Sequence, residues 1–427
     1  MENKLPNGWT ACPLKDVVSS RKGKKPNSVI NHAKKGYDPY ILIDELEGNP
    51  PRTYTNDPKI PRATERDVLL VWDGSIGKCA SGLSGAVGST IAVLSPKNEL
   101  NTKYLEYFIK RSKNYITETS TGSGLQHVNK SLLKTLEIPL PPDGGQERIA
   151  DKLDVLLAKV RDAQSRLYKI PLILNRFRQS VLSTACSGRL TFEWREKLKQ
   201  DYPNDKTSSH DDELPLGWKR TALGEVLETL TDYHANGSYK TLKEHVTILP
   251  KKSWAIYVRA TNLESRSFAE EIKYVSQSAY EFLSKSKLYG GEIIIGKIGN
   301  AGKVYLMPNL GVPCTLGMNL FLLRTKQDTE IKFIYFHLKS PFSEEEIKQN
   351  VKGATNQSID KKSIRSITIN LPPLREQQEI IRRVEQLFTL AGQIEIRYTK
   401  TQGYVDKLEQ SILAKAFRGE LISQETK

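Results

Sequence analysis

Leu371-Pro372-Pro373-Leu374-Arg375-Glu376-Gln377 opens a stretch that continues through Ile380 and Val384 and closes at Arg418-Gly419-Glu420-Leu421. An earlier stretch has the same plan: Leu140-Pro141-Pro142, Gln146, Ile149 and Leu153, closing at Ser187-Gly188-Arg189-Leu190. The copies lie 231 residues apart both at the prolines (142 and 373) and at the closing glycines (188 and 419), so no residue is gained or lost between those points.

Flanking segments repeat in the same order. Leu5-Pro6-Asn7-Gly8-Trp9 is answered by Leu214-Pro215-Leu216-Gly217-Trp218, and the strand-like residues 40–47 by 257–264. Residues 68–71 with Ile76-Gly77-Lys78 are answered by 292–295 with Ala301-Gly302-Lys303, and Gly122 and Gln126 by Gly353 and Gln357. The chain is a tandem duplication. The offset climbs from 209 at the tryptophans (9 and 218) to 231 at the glycines (122 and 353), so insertions accumulated there and nowhere in the Leu-Pro-Pro stretch. One inserted residue rotates every later helical side chain by about 100° and destroys a packed stripe, whereas loops absorb insertions. The ungapped stretch therefore reads as a long helix with a defined partner.

Apolar spacing agrees. Ile149, Leu153, Leu156, Val160, Ala163 and Leu167 match Ile380, Val384, Leu387, Ala391, Ile394 and Tyr398; the stripe resumes at Leu174, Phe177, Val181 and Leu182, against Val405, Leu408, Ile412 and Leu413. Alternating steps of three and four predict a coiled-coil seam. The paired prolines mark the entrances and the glycines the ends. About 40 residues of helix would span roughly 60 Å. Pro171 is expected to kink or split the first helix. Asp143-Gly144-Gly145 stands where the second copy has Leu374-Arg375-Glu376, so the first helix should start later or from a looser joint. Two possibilities remain: each helix packs on its own domain, or the two pack together with a similar domain at each end.

The expected fold class is α/β (α+β). Two tandem domains are joined by two long helices in an antiparallel coiled coil with pseudo-two-fold symmetry. The expected division is 1–142, first domain; 143–192, central helix; 193–373, second domain; 374–427, C-terminal helix.

Bulk properties narrow the partner. The 64 Lys+Arg against 49 Asp+Glu leave a net charge of +15, which favours a polyanion, nucleic acid before a membrane surface. Apolar runs such as Ile293-Ile294-Ile295 are strand-length, too short for a bilayer. Cys12, Cys79, Cys186 and Cys314 are widely spaced with no Cys-x-x-Cys pair, which fits a reducing cytoplasm, and Met1-Glu2-Asn3-Lys4 lacks the apolar region of a signal peptide.

These motifs together resemble the specificity subunits of type I restriction–modification systems. Leu371 to Gln377 is similar to the Leu-Pro-Pro-Leu-x-Glu-Gln helix entrance of that family, and Arg176-Phe177-Arg178-Gln179-Ser180-Val181-Leu182 with Ser187 to Leu190 to its helix exit. The resemblance covers essentially the whole chain. It implies two target-recognition domains, each reading half of a bipartite site in double-stranded DNA. It further implies helices that space the half-sites and dock two methyltransferase subunits. A restriction (translocase–nuclease) subunit would join that core. The chain itself would carry no cofactor: S-adenosylmethionine would sit on the methyltransferase subunits, and ATP and Mg on the restriction subunit.

Residue chemistry fits a targeting role. Asn49-Pro50-Pro51-Arg52 resembles the Asn-Pro-Pro-aromatic motif of amino-methyltransferases, but Arg52 stands where an aromatic must stack on the flipped base, and no Gly-rich cofactor turn accompanies it. Glu271-Ile272-Lys273, Glu330-Ile331-Lys332 and Glu346-Ile347-Lys348 satisfy a nuclease-like Glu-x-Lys, yet three occurrences in a lysine-rich chain read as solvated charge. Histidines 32, 127, 210, 234, 245 and 337 have no zinc spacing, so no catalytic or metal site is expected. The alternatives are a self-contained restriction enzyme or methyltransferase, and a coiled-coil scaffold whose charge is incidental.

Loop cations that could neutralise phosphates are Arg21, Lys22, Lys24, Lys25, Lys78, Lys251, Lys252, Lys303, Lys361 and Lys362. Side chains able to pair bidentately with base edges are Asn27, Gln126, Asn129, Asn236, Arg259, Asn356 and Gln357. Gln126 and Gln357 recur in both copies, which points to a shared role; differing residues are the better candidates for base choice. For helix packing or partner docking the candidates are Ile149, Leu153, Leu156, Leu174, Phe177, Ile380, Val384, Leu387, Leu408 and Ile412.

Overall fold

The computed structural model describes residues 5–97, 99–122, 126–142, 144–201 and 214–421. Asp143, His210 and part of the loop at 119–124 lie outside them. The chain divides into two compact units, Met1–Lys169 with Tyr398–Lys427, and Ile170–Arg397. This differs from the expected division: the boundaries fall inside both long helices, so each unit owns a piece of each.

In the first unit, strands Val18–Lys22, Ile91–Pro96, Val68–Val71 and Cys79–Ser81 form an antiparallel sheet in that spatial order. Strands Tyr54–Thr55, Asp38–Ile41, Gly85–Val87 and Arg62–Ala63 form a second, with the middle pair parallel. A two-stranded ladder pairs Thr10–Pro13 with Glu137–Leu140. Period-two side-chain alternation makes Val68–Val71 a divider. Val68 and Leu70 join the core holding Tyr104, Phe108, Ile149 and Leu153, while Leu69 joins Ile41, Val87 and Val93 between the sheets.

The second unit repeats this topology. Leu227–Asp232, Leu320–Thr325, Ile293–Gly296 and Val304–Leu306 make one sheet; Lys273–Val275, Ala255–Val258, Cys314–Leu316 and Lys287–Leu288 the other; Lys219–Ala222 pairs with Thr368–Leu371. Ile293 and Ile295 face the helical core, and Ile294 faces Leu316 and Leu322.

The segments at 40–47 and 257–264 are not strands throughout. The first strand ends at Ile41, and Ile43–Leu46 is a helical turn; the second ends at Val258, before the helix Ala260–Ser265. A side-chain oxygen three residues ahead accepts the N–H at each break: Glu45 Oε2 from Leu42 at 2.8 Å, Asn262 Oδ1 from Arg259 at 3.1 Å. These local bonds end the ladders despite the apolar composition.

The central helix spans Gly145–Cys186 and the C-terminal helix Leu374–Ala416. Pro171 lies inside the first without splitting it. Gly145 is two positions later than the counterpart of Leu374, as Asp143-Gly144-Gly145 suggests. In the first unit, Ile149, Ala150, Leu153 and Leu157 near the start of the central helix share a core with Leu413 and Ala416 near the end of the C-terminal helix. The second unit combines Val181, Leu182 and Ala185 with Ile380 and Val384. Start meets end in each unit, the antiparallel order.

The buried stripe departs from the expected one at four places. Leu157 is buried and Leu156 only half-buried. Phe177, Ile394 and Leu408 are exposed, at 37%, 47% and 44%, while Leu174 and Leu413 are buried as expected. A straight helix drifts against a fixed seam, so one of two adjacent apolar residues takes the inward position.

The entrance glutamine has a structural task. Gln146 Oε1 accepts from Asn101 N–H at 2.9 Å, and Gln377 Oε1 accepts from Glu330 N–H at 2.8 Å. Asn101 and Glu330 directly precede the helices Thr102–Arg111 and Ile331–Leu338, so each glutamine ties the long helix to the neighbouring one in its unit. The glycines at the helix ends also match. Gly188 and Gly419 have φ of +76° and +73°, and a Cβ on either would lie 2.4 and 2.6 Å from Pro215 and Pro6 of the Leu-Pro-x-Gly-Trp segments.

Candidate nucleic-acid interface

In the first unit the strand Val68–Val71 runs into the turn at Asp73-Gly74, where Gly74 N–H donates to Gln126 O at 3.1 Å. In the second, Gly299 N–H donates to Gln357 O at 2.9 Å. The repeated glutamine thus anchors its loop through the backbone. Its side chain is exposed and makes no hydrogen bond to the described residues in either unit.

Beneath each loop lies a buried carboxylate with cationic partners. Asp73 accepts from Lys22 Nζ at 2.6 Å and approaches His127 Nδ1 at 2.5 Å. Burial alone would raise its pKa, but the bonds from His127 and Lys22 outweigh burial and hold it below the usual carboxylate range. Asp232 accepts from Lys297 Nζ at 2.7 Å and Lys361 Nζ at 3.2 Å, and the same balance lowers its pKa. Lys22 and Asp232 each end the first strand of their sheet, so the units carry opposite charges at matching positions. The second cluster opens into a cleft of about 440 Å³ lined by Lys297, Ile298, Lys352, Ser358, Asp360 and Lys361. None of these clusters was legible as such, because Asp73 and His127 are 54 residues apart and Asp232 and Lys361 are 129 apart.

The other sequence candidates divide by what already holds them. Arg21 donates to Ser95 Oγ at 2.6 Å and Arg62 O at 2.7 Å, bracing its sheet. Lys78 pairs with Glu47, and Lys303 with Glu264 at 2.6 Å. Asn129 Oδ1 caps the helix Lys130–Thr135. Asn236 bonds Tyr233 O, Ser286 Oγ and Lys285 N–H. Arg259 donates to Glu271 O at 2.5 Å, while its Nε is buried with no partner among the described residues. Lys24, Lys25, Asn27, Lys251, Lys252, Asn356 and Lys362 are exposed, and their side chains have no hydrogen bond or ion pair among the described residues. Among the described residues no group of three or more His, Cys, Asp or Glu could hold a metal ion, and no helix is long and apolar enough to cross a membrane.

Residues 6–169 and 215–399 match the model of the type I restriction modification DNA specificity domain, once per repeat. The specificity subunit of the type I restriction enzyme EcoKI from Escherichia coli (strain K12) is 30% identical, over 99% of this chain and 91% of its own length. That of StySPI from Salmonella potsdam is also 30% identical, with coverages of 99% and 91%. Among solved structures, a chain from a study of complex assembly and conformational transition of the type I R-M system superposes with a TM-score of 0.68 at 20% identity, covering 98% of this chain and 99% of that one. The HsdS subunit from Thermoanaerobacter tengcongensis superposes at 0.59 with 19% identity and the same coverages. The family model on both repeats and the near full-length relatives identify the duplicated chain: it belongs to the specificity subunits of type I restriction–modification systems, which recognise DNA sequence and leave catalysis to partner subunits.

Proposed function

We propose that each unit reads one half of a bipartite site in double-stranded DNA, and that the chain delivers this choice to two methyltransferase subunits carrying S-adenosylmethionine and to restriction subunits using ATP and Mg. The site of action would be cytoplasmic. The observation that carries the reading is the duplication itself: one recognition topology occurs twice while the connecting helices stay in ungapped register. A shared scaffold with differing loop chemistry suits two different half-sites read in a fixed relation. The exposed cations Lys24, Lys25, Lys251, Lys252 and Lys362 are the leading phosphate contacts, and the unbonded amides of Asn27, Gln126, Asn356 and Gln357 the leading base readers.

Exposed apolar side chains on the long helices fit docking of the methyltransferase subunits. Leu172, Ile173, Phe177, Leu390, Ile394 and Ile396 lie in the second unit, Tyr168, Tyr404 and Leu408 in the first. Phe177 and Leu408, which leave 37% and 44% of their surface exposed, are assigned to this role.

Mapping of methylated adenines in cells with and without the gene tests the reading. Adding about one helical turn (four residues) near Lys159 is expected to lengthen the unread spacer while both half-sites stay the same. An unchanged spacer would refute the ruler, and robust methylation by the purified chain alone would refute the division of labour.

A further inference from the structure

In the first unit a cleft of about 260 Å³ lies between the strands at Val18–Lys22 and Ile91–Pro96 and the helix Lys130–Thr135. Its floor is apolar, with Leu14, Val18, Leu94 and Leu133, and its rim carries four lysines: Lys15, Lys97, Lys130 and Lys134. All four are exposed, and none has a carboxylate partner among the described residues. Lys97 Nζ is steered by Lys15 O, to which it donates at 3.2 Å.

The second unit keeps three of these four charges at the same places. Lys97 N–H donates to Val17 O, and Lys326 N–H to Val226 O. Leu14 N–H donates to Leu136 O, and Leu223 N–H to Ile367 O. These matching bonds fix the register, which places Lys326 with Lys97, Lys361 with Lys130 and Arg365 with Lys134. Lys326 Nζ is steered likewise, by Glu225 O at 2.7 Å. At the last pair the charge is kept while the residue changes. Lys15 is replaced by Gly224, over which Arg365 packs: a Cβ there would lie 3.1 Å from the Arg365 Cβ.

Fold stability does not account for this pattern. Lys130 with Lys134, and Lys361 with Arg365, are like charges four apart on very short helices, an arrangement that weakens a helix. A cation in the last turn suits the helix dipole, but Lys130 and Lys361 stand in the first turn, where it opposes them. In the second unit Asp232 partly neutralises Lys361. The matching residue in the first unit is Lys22, so Lys130 lacks even that relief.

We infer that this basic cleft and its counterpart are a duplicated clamp for DNA backbone phosphates, the first unit's being the more strongly charged. The inference rests on the DNA-recognition reading above and deepens it. A small recess rimmed by ammonium groups suits a single phosphodiester, and bonds to the backbone position a duplex without reading its sequence. An acidic face of a protein partner is the competing occupant.

The test is equilibrium binding of the full chain, assembled with its methyltransferase subunits, to a duplex oligonucleotide carrying the mapped site, over a series of salt concentrations. Replacing Lys97, Lys130 and Lys134 together by Ala should lower the slope of log K against log salt by about 0.9, the contribution of the one phosphate that is no longer neutralised. The methylated sequence should stay the same. Replacing all three by Arg should retain the slope, which separates charge from packing, and thermal unfolding checks that both variants fold. The Ala change at Lys326, Lys361 and Arg365 should give a smaller drop, because Asp232 already holds one of the three. An unchanged slope in the folded Ala variant overturns the clamp, as does loss of methyltransferase assembly with DNA affinity per assembled complex unaltered. If the unsubstituted complex itself shows no preference for the mapped duplex, it is the DNA-recognition reading that fails.

Discussion

The two ends of the long helices are built on one plan and locked differently. In the second unit Glu376 is buried and accepts from Trp218 Nε1 at 2.8 Å, from Thr191 Oγ1 at 2.6 Å and from Arg195. The C-terminal helix entrance, the tryptophan segment and the region after Gly188 meet at that one carboxylate. In the first unit the corresponding position is Gly145, whose missing Cβ leaves room for Pro141, 2.7 Å from where it would stand. Trp9 there has no side-chain hydrogen bond among the described residues. Steric features common to both ends, the left-handed glycines and the entrance glutamines, therefore suffice to define the joint. The buried charge is an addition that fastens one of them.

The largest expected effect breaks that addition. Glu376→Ala takes the carboxylate from the half-buried Arg195 guanidinium, which keeps only Thr191 Oγ1 and Gly188 O, and leaves the Trp218 N–H without its acceptor, a loss of about 3 kcal/mol. Urea unfolding followed by a probe in each unit should show the second unit's midpoint falling, while Trp9→Phe moves the first unit's midpoint little. Equal losses would mean the joints are not mechanically distinct.

A second contrast is acid sensitivity. Phe108 in the first unit corresponds to His337 in the second, both fully buried. His337 Nε2 accepts from Asn370 N–H at 3.1 Å while Nδ1 lies 2.9 Å from Ser343 Oγ. Burial holds its pKa down to about 4, from an ordinary 6.5. The unfolded chain therefore takes up a proton below about pH 6.5 that the folded unit refuses. Stability is fully present above that pH and falls by up to about 3 kcal/mol as pH drops towards 4. The second unit's urea midpoint should drop between pH 7 and 5 more than the first unit's, and His337→Phe should reduce the difference.

Gln126 and Gln357 sharpen the comparison at the DNA. Replacing either by Ala should relax specificity at one position of its own half-site only, by about 1–3 kcal/mol, as read by methylome mapping and competition binding. A change in both half-sites, or in neither, would assign the glutamines to loop shape alone. The smallest effect tests sameness: Gln146→Ala and Gln377→Ala should each cost their own unit about 1 kcal/mol through the bond to the neighbouring helix, Gln377 somewhat more because its Nε2 also donates to Pro372 O.

Most of the fold was legible because duplication turns one sequence into its own comparison. A register held between Pro142 and Gly188, and again between Pro373 and Gly419, can only be a rigid element, and both helices follow. What escaped is what depends on proximity. The seam's choice of Leu157 over Leu156 is a matter of tens of degrees around the helix, below the resolution of a heptad count. The residues at 40–47 looked extended because their apolar content is strand-like, while the bond from Leu42 N–H to Glu45 that ends the strand is a local competitor. Lys22 and Lys361 were visible as cations, but the buried aspartates that hold them are brought near only by folding. Lys130 and Lys134 could have been noticed as a repulsive pair at helical spacing, repeated as Lys361 and Arg365.

Phe417 has its ring centroid 4.9 Å from that of Tyr104 and 5.5 Å from that of Phe108. The core of the first unit thus contains residues that are synthesised only after the whole of the other unit, whereas the unit spanning 170–397 is a single uninterrupted segment. During synthesis the inner unit can close on its own residues, and the outer one must wait with a gap in its core until Leu413, Ala416 and Phe417 are made. A nascent chain broken off before Leu413 would accordingly fail at its N-terminal half, far along the sequence from the break.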